Sequence, residues 1–364
     1  MKNWSTLKVY GTPPVISRTP LLASLLLAGA AFSTSSLAQS DTAALSRFYS
    51  GNTVKIVVGL GAGGSYDITA RTLARNLGKN IPGNPTVIVE NMPGAGSLLA
   101  LNRIYTTMPK DGTVIGNVSG PSLTAQVFGT AQFDAAKMRI LSAPAPIVHM
   151  LVATKASGAS QLADLVGNAS KREIKMGATA QPSSIYNSAF LAKNAAGLNF
   201  RMVTGYDGFA KIKLALEQDE VGATFNNIDE LNGLYRDKIN SGEWRILAQS
   251  TDKPHPRAPK DAPVLMDLAK NPEEKQMYWL GAILPMRFAF LYFLAPGVPS
   301  DRADALELAV DRTFNDSTFA DEMQKAGLVA DPIPAADMRK MVAEFINMPA
   351  DIKAKLQPIL MPKN

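Results

Sequence analysis

Residues 54–78, VKIVVGLGAGGSYDITARTLARNLG, join an apolar run to a glycine loop and then to a helical pattern. This succession restricts the fold more than any other feature of the chain. A strand that is apolar at nearly every position needs cover on both faces, and parallel strands flanked by helices provide it. The helical part sets Tyr66, Ala70, Leu73, Ala74 and Leu77 on one stripe. The unit then repeats. PTVIVE (85–90) leads into NMPGAGS and a helix with Leu98, Leu101, Asn102 and Tyr105 on one face. KDGTVIGNVSGPSL supplies a turn at Asp111-Gly112, a third strand and a Ser/Gly loop. From about residue 150 the series starts afresh, with a strand at 173–177, a loop, and a helix closed by Gly197 as C-cap. NFRMVTGYDGFAKIKLALEQDE, VGATFNN and EWRILAQST continue it, and the C-terminus reads as helical. Alternating strands and helices predict an α/β fold with mostly parallel sheets. Ligands of such sheets bind beyond the carboxyl ends of the strands, where the small-residue loops fall.

The ends and the composition narrow the class. Lys2, Lys8 and Arg18, the apolar run PLLASLLLAGAAF, and STSSLA with a cleavage point after Ala38 read as an export signal over residues 1–38. The chain has no cysteine, which excludes a lipid anchor through Cys, disulfides, thiolate metal sites and a cysteine nucleophile. The net charge of +6 is mild, lies partly in the leader, and comes with no basic run, so no nucleic-acid partner is expected. In MYWLGAILPMRFAFLYFLAPGVP, Pro285 and Arg287 divide the apolar residues into two runs of buried-strand length, too short to span a membrane. A chain this long divides into two domains.

The loops carry the chemistry. A Gly/Ser loop entering a helix offers backbone N–H groups and the positive end of the helix dipole, an anion site that needs no Lys or Arg. Ala62-Gly63-Gly64-Ser65, Pro93-Gly94-Ala95-Gly96-Ser97, Ser119-Gly120-Pro121-Ser122 and Ala180-Gln181-Pro182-Ser183-Ser184 all have this character. Helix capping by Ser65, Ser97 and Ser184 is the plainer function for the same residues. Asp67 reads as a local partner of its helix dipole.

Gly59-x-Gly61-x-x-Gly64 also has dinucleotide-binding spacing, with Glu90 as a loose match to the ribose-binding acid, so an exported nicotinamide-dependent oxidoreductase is the alternative. Neither a G-x-S-x-G elbow nor a P-loop occurs. His149 sits in the apolar PIVHML and reads as a buried histidine, while His255 reads as exposed. Their spacing suits no metal site, and a Ser-His-Asp hydrolase would have to recruit one of these two. No cofactor is expected.

GAGGSYDITARTLARNLGKNIPGNPTVIVENMPGAGS, PKDGTVIG, GYDGFAKIKLALEQDEVGATF, WRILAQST and FLAPGVPSDRADALELA, spanning about residue 53 to the C-terminus, resemble the Bug (TctC) family. These are the periplasmic solute-binding proteins of tripartite tricarboxylate transporters. The resemblance implies two α/β lobes in a Venus-flytrap arrangement: residues 39–149 plus 252–364, and residues 150–251. It implies a carboxylated metabolite held between them, delivered by a non-enzymatic, monomeric receptor to integral-membrane permease subunits. Carried over by position, the ligand contacts fall on Gly63, Gly64, Ser65, Tyr66, Ser119, Gly120, Ser122, Thr179, Gln181, Ser183, Ser184 and Asn226. The chain departs from the family pattern at Leu60-Gly61, where an aromatic-proline pair is common, at the insert NIPGNPT, and at Asn226, where Asp is frequent.

Overall fold

A computed structural model describes residues 42–167, 173–179 and 183–361. The leader with its cleavage point after Ala38, and Gln181, lie outside the described residues. The described residues from Leu45 onward form one compact unit.

This unit holds ten strands: β1 (Thr53–Val58), β2 (Thr86–Asn91), β3 (Val114–Ser119), β4 (Arg139–Ile140), β5 (His149–Thr154), β6 (Lys175–Thr179), β7 (Arg201–Tyr206), β8 (Ala223–Asn227), β9 (Trp244–Ser250) and β10 (Phe290–Leu294). They make two five-stranded sheets, β2-β1-β3-β10-β4 and β7-β6-β8-β5-β9. Each sheet, with the helices packed on it, is a lobe of a two-lobed α/β fold. The strand–loop–helix units give the parallel half of each sheet: β2, β1 and β3 in the first, β7, β6 and β8 in the second. The other half is antiparallel, through β10 and β5. Both are entered just after the chain has passed from one lobe to the other, so they run back against their neighbours. The expectation of mostly parallel sheets therefore becomes two mixed sheets.

β1 is buried from Ile56 to Val58, and helix Ser65–Leu77 lays Tyr66, Ala70, Leu73 and Leu77 against the sheet, as its periodicity requires. Ala74 is only partly buried. Helix Ser184–Ala196 covers β6 and β8 in the second lobe and ends at Gly197, which has φ +66°.

The apolar stretch around Pro285 departs from expectation. Its first half is helical, as Pro272–Tyr278, a π-helical turn at Trp279–Ile283, and Leu284–Arg287; only its second half forms a strand, β10. Pro285 lies in the first turn of its short helix, where a missing N–H is tolerated. The Trp279 indole donates to Glu344 Oε1 at 3.0 Å, and the Arg287 guanidinium lies 5.3 Å from the ring centre. Gly281 has no side chain because one would meet Leu191 and Leu356 at 2.6 and 3.0 Å. Through this gap the C-terminal helix Ala350–Leu360 packs against helix Ser184–Ala196 of the second lobe. Among the described residues no helix is long and apolar enough to cross a membrane.

Candidate functional site

The carboxyl ends of both parallel half-sheets face each other across a cleft. In the first lobe the loop after β1 supplies Leu60, Gly61, Gly64, Ser65 and Tyr66, and the end of β3 supplies Ser119. The loop is shaped by its own bonds. Asp67 Oδ2 accepts from Gly63 N at 3.0 Å and from Arg71 Nε at 3.1 Å. Burial alone would raise the Asp67 carboxyl, but the bonds from Arg71, Gly63 and Asn91 outweigh it and hold the group below its ordinary value. Asp67 thus has the local role expected of it, fixing the loop rather than facing a ligand.

Ser97 braces this arrangement. It does not cap its helix with its side chain; its Oγ donates to Gly59 O and accepts from Ser119 N, both at 3.1 Å. The ends of β1 and β3 are thereby tied together. The loop Pro93–Ser97, expected to form an anion site of its own, packs behind the first loop and does not line the cleft. Helix capping also falls elsewhere than expected: Gly64 is the N-cap of helix Ser65–Leu77, and Ser183 rather than Ser184 caps helix Ser184–Ala196, accepting from Tyr186 N at 3.3 Å.

The second lobe contributes Thr179 from β6, Ser183, Ser184 and Ile185 from the start of helix Ser184–Ala196, Gly208 and Phe209 after β7, Asn226 and Asn227 from the end of β8, and Glu230 after it. His149 and Ile147 line the cleft where the chain crosses. The lobes are closed on each other. Gly61 N donates to Asp207 O at 3.0 Å, and Ser65 N donates to Glu230 Oε1 at 3.1 Å, both across the cleft. The space left between them is about 40 Å³, room for a few ordered waters.

Among the described residues the lining contains no Lys or Arg. Its one acid among the described residues, Glu230, is 2% exposed, and burial pushes its carboxyl above the ordinary value against the opposing interactions with Ser65 and the Asn226 amide. Its Oε2 is buried without a hydrogen-bond partner, as are Asn226 Nδ2 and Ser119 Oγ. The neighbouring Asp229 is ion-paired with Arg257. Among the described residues no cluster of His, Cys, Asp and Glu is arranged to hold a metal.

His149 is 3% exposed, and its Nδ1 lies 3.0 Å from Ser188 Oγ. Burial pushes its imidazole from 6.5 down to about 3. A depressed folded value means that its contribution to stability is complete above pH 6.5 and is lost as pH falls toward 3. Glu230 acts with the opposite sign: its raised folded value favours folding as pH falls through that value toward 4.5. The two groups therefore oppose each other as the pH falls, and the His149 part is isolated by substituting that residue. Moving from pH 7 to pH 5 should remove about 2 kcal/mol of its contribution, at roughly 1.4 kcal/mol per pH unit below 6.5. Melting curves of the wild type and His149→Gln check this: the substituted protein should lose less Tm over that interval. Equal losses would assign the acid sensitivity to another group.

Of the positions expected to contact ligand, Gly64, Ser65, Tyr66, Ser119, Thr179, Ser183, Ser184 and Asn226 line this one cleft. Three do not. The Gly63 N–H is committed to Asp67, Gly120 is pressed against Phe288 with its N–H on Ala289 O at 2.8 Å, and Ser122 is fully buried beneath the cleft wall. Gln181 lies outside the described residues. Sequence reading missed Glu230, His149, Asn227 and the apolar wall of Ile147, Ile185 and Phe209. His255 is partly buried rather than exposed, its N–H bonded to Gln249 Oε1 at 2.8 Å. Glu90 is engaged with Lys55 at 2.6 Å, and the N–H groups of Gly61, Gly63 and Ser65 already serve acceptors of the protein, so the glycine loop does not offer the open cradle that a dinucleotide pyrophosphate requires.

Known proteins match this chain at three levels. The sequence pattern of the tripartite tricarboxylate transporter family receptor matches residues 69–356. A UPF0065 protein of Cupriavidus necator is 47% identical over 68 residues, which cover 19% of this chain and 20% of that relative. MatC of Rhodopseudomonas palustris, solved with bound malate, is similar in fold with a TM-score of 0.64 at 18% identity, over 83% of this chain and 98% of MatC. The periplasmic binding protein BugD is similar with a TM-score of 0.65 at 18% identity, over 82% of this chain and 97% of BugD.

Proposed function

Because the chain belongs to the tripartite tricarboxylate transporter receptor family, we propose that it captures a small organic acid, a mono- or dicarboxylate, and delivers it to the integral-membrane permease subunits of such a transporter. It acts in the periplasm as a monomer, after loss of a leader ending near Ala38, and has no catalytic role. The lobes that close on the ligand are residues 39–149 plus 252–364, and residues 150–251.

The observation that carries this reading is the composition of the cleft. The N-termini of helices Ser65–Leu77 and Ser184–Ala196 meet there with hydroxyl and amide side chains, and no basic residue lines the cleft among the described residues. Helix ends, aligned N–H groups and hydroxyls stabilise a carboxylate in a closed site, where each charge-assisted bond contributes roughly 1.5–3 kcal/mol. Malate bound to MatC, which shares the fold, supports the ligand class. Tricarboxylates fit poorly, since each further charge needs its own donors and Glu230 opposes it.

A thermal-shift screen of mono-, di- and tricarboxylates tests the reading, followed by calorimetry of the best ligand at low and moderate salt. Affinity should change by less than about threefold between the two, because charges buried in a closed cleft are screened little. Tightest binding to citrate, or a steep loss of affinity with salt, would show that charge is handled by exposed basic residues instead.

A further inference from the structure

We propose that Glu230 is a specificity-determining residue that receives an ammonium group, so that the ligand is a small zwitterion, an amino-bearing monocarboxylate, rather than a plain mono- or dicarboxylate. This rests on the carboxylate reading above and narrows it.

The argument begins with what Glu230 occupies. It stands in the helical segment Ile228–Asn232 of the second lobe, yet its Oε1 accepts the N–H of Ser65 at the start of helix Ser65–Leu77 in the first. The protein's own carboxylate therefore sits at one of the two helix N-termini in the cleft. The positive end of that helix is already answered by a negative group, which leaves the other end, that of Ser184–Ala196, for an anion from outside. There the capping bonds use the N–H groups of Tyr186 and Asn187, and Ser184 and Ile185 line the cleft ahead of them. The geometry accommodates one ligand carboxylate rather than two.

The second oxygen decides what the rest of the ligand carries. Glu230 Oε2 is buried in the cleft wall with no well-formed hydrogen bond, and its neighbours there, the Asn226 amide and Ser65, are uncharged. Among the described residues no Lys or Arg lines the cleft to neutralise it, and the nearby Arg257 is engaged by Asp229. A buried carboxylate without a counter-charge is unstable; in the empty cleft a proton relieves it, and in the loaded one a cation with N–H donors does so while keeping the group ionised. A second carboxylate in that place would meet like charge in a water-poor site. A ligand with one carboxylate at the Ser184 end and one ammonium at Glu230 satisfies both ends and adds no net charge.

Matched ligands at pH 7.5 test this by calorimetry: β-alanine against propionate and succinate, and 4-aminobutyrate against butyrate and glutarate. In the wild type the amino member of a set should bind at least about tenfold tighter than the others, and Glu230→Gln should abolish that preference while plain carboxylates hold or gain affinity. Succinate or glutarate binding as tightly as its amino counterpart in the wild type overturns the role of Glu230 and leaves the carboxylate reading standing. Propylamine binding as tightly as β-alanine overturns the carboxylate reading instead. A wild-type protein that responds to none of these compounds overturns both. The wild-type comparison decides the matter even if Glu230→Gln folds poorly.

Discussion

Gly64→Val is expected to lower ligand affinity by an order of magnitude or more while leaving the fold intact. Gly64 has extended backbone, φ −94° and ψ 175°, which any residue adopts, and a Cβ built there meets nothing within 4 Å. The open space is the cleft, since Gly64 lies in its wall beside Ser65. A branched side chain therefore costs the empty protein no collision, only about 1 kcal/mol for exchanging an N-cap glycine for a residue that caps poorly. It does take up cleft space beside Ser65 and Glu230, and so pushes a ligand off its partners across the cleft. Losing one charge-assisted hydrogen bond costs roughly 1.5–3 kcal/mol, which corresponds to about 10- to 150-fold in Kd. Calorimetry together with melting curves separates the two effects. A folded protein with unchanged affinity would remove this loop from the binding site.

Gly233→Ala should act on the closure itself. Gly233 follows the segment Ile228–Asn232 in the second lobe, and an added Cβ would collide with the carbonyl of Gly327. Gly327 follows helix Ser317–Lys325, which is anchored on the first lobe by Arg75–Glu322 at 2.6 Å and Lys79–Asp316 at 2.7 Å. The obstacle is backbone, so it cannot rotate away, and the backbone at Gly233 itself, with φ −102°, accepts alanine. The collision is relieved most cheaply by parting the lobes, a hinge motion of the kind two-domain binding proteins make. Affinity should fall more than about tenfold, because the closed, binding-competent state is depopulated. Small-angle scattering should show the substituted protein larger than the wild type under saturating ligand. Wild-type affinity and dimensions would mean that this contact plays no part in closure.

The parts of this molecule written in local pattern were legible. The alternation of apolar strand, small-residue loop and amphipathic helix set out the parallel half of each sheet, because burial on both faces and a 3.6-residue stripe are properties of short segments. The antiparallel halves were not legible. FLYFL and HMLVAT look like any buried strand, and their direction depends on which lobe the chain has just left. The first half of the MYWL stretch resembled a strand because a short apolar run has no decisive period; its helical form follows from packing between Leu191 and Leu356. The site divides the same way. Gly64, Ser65, Ser183 and Ser184 could be found because a glycine or serine before a helix marks exposed N–H groups. Glu230 could not, since nothing in NNIDELNG indicates that its fourth residue after Asn226 reaches a helix in the other lobe. Ser97 was assigned the wrong task for a related reason: its left-handed backbone at φ +83° turns the hydroxyl away from its own helix and toward two strand ends.

The position of Trp279 gives the molecule an optical use. Trp244 is sealed inside the second lobe, packed against Phe209 and Tyr235, where its surroundings are fixed. Trp279 is half-buried on the return path between the sheets, with Arg287 over its face and Glu344 on its indole nitrogen. A charged group above the ring and a carboxylate at its edge both tune indole emission. The helical turn that carries Trp279 packs on helix Ser184–Ala196 of the second lobe, so of these two fluorophores one is sealed within a lobe and the other stands near a contact between lobes, where its emission with and without ligand can be compared without attaching a dye.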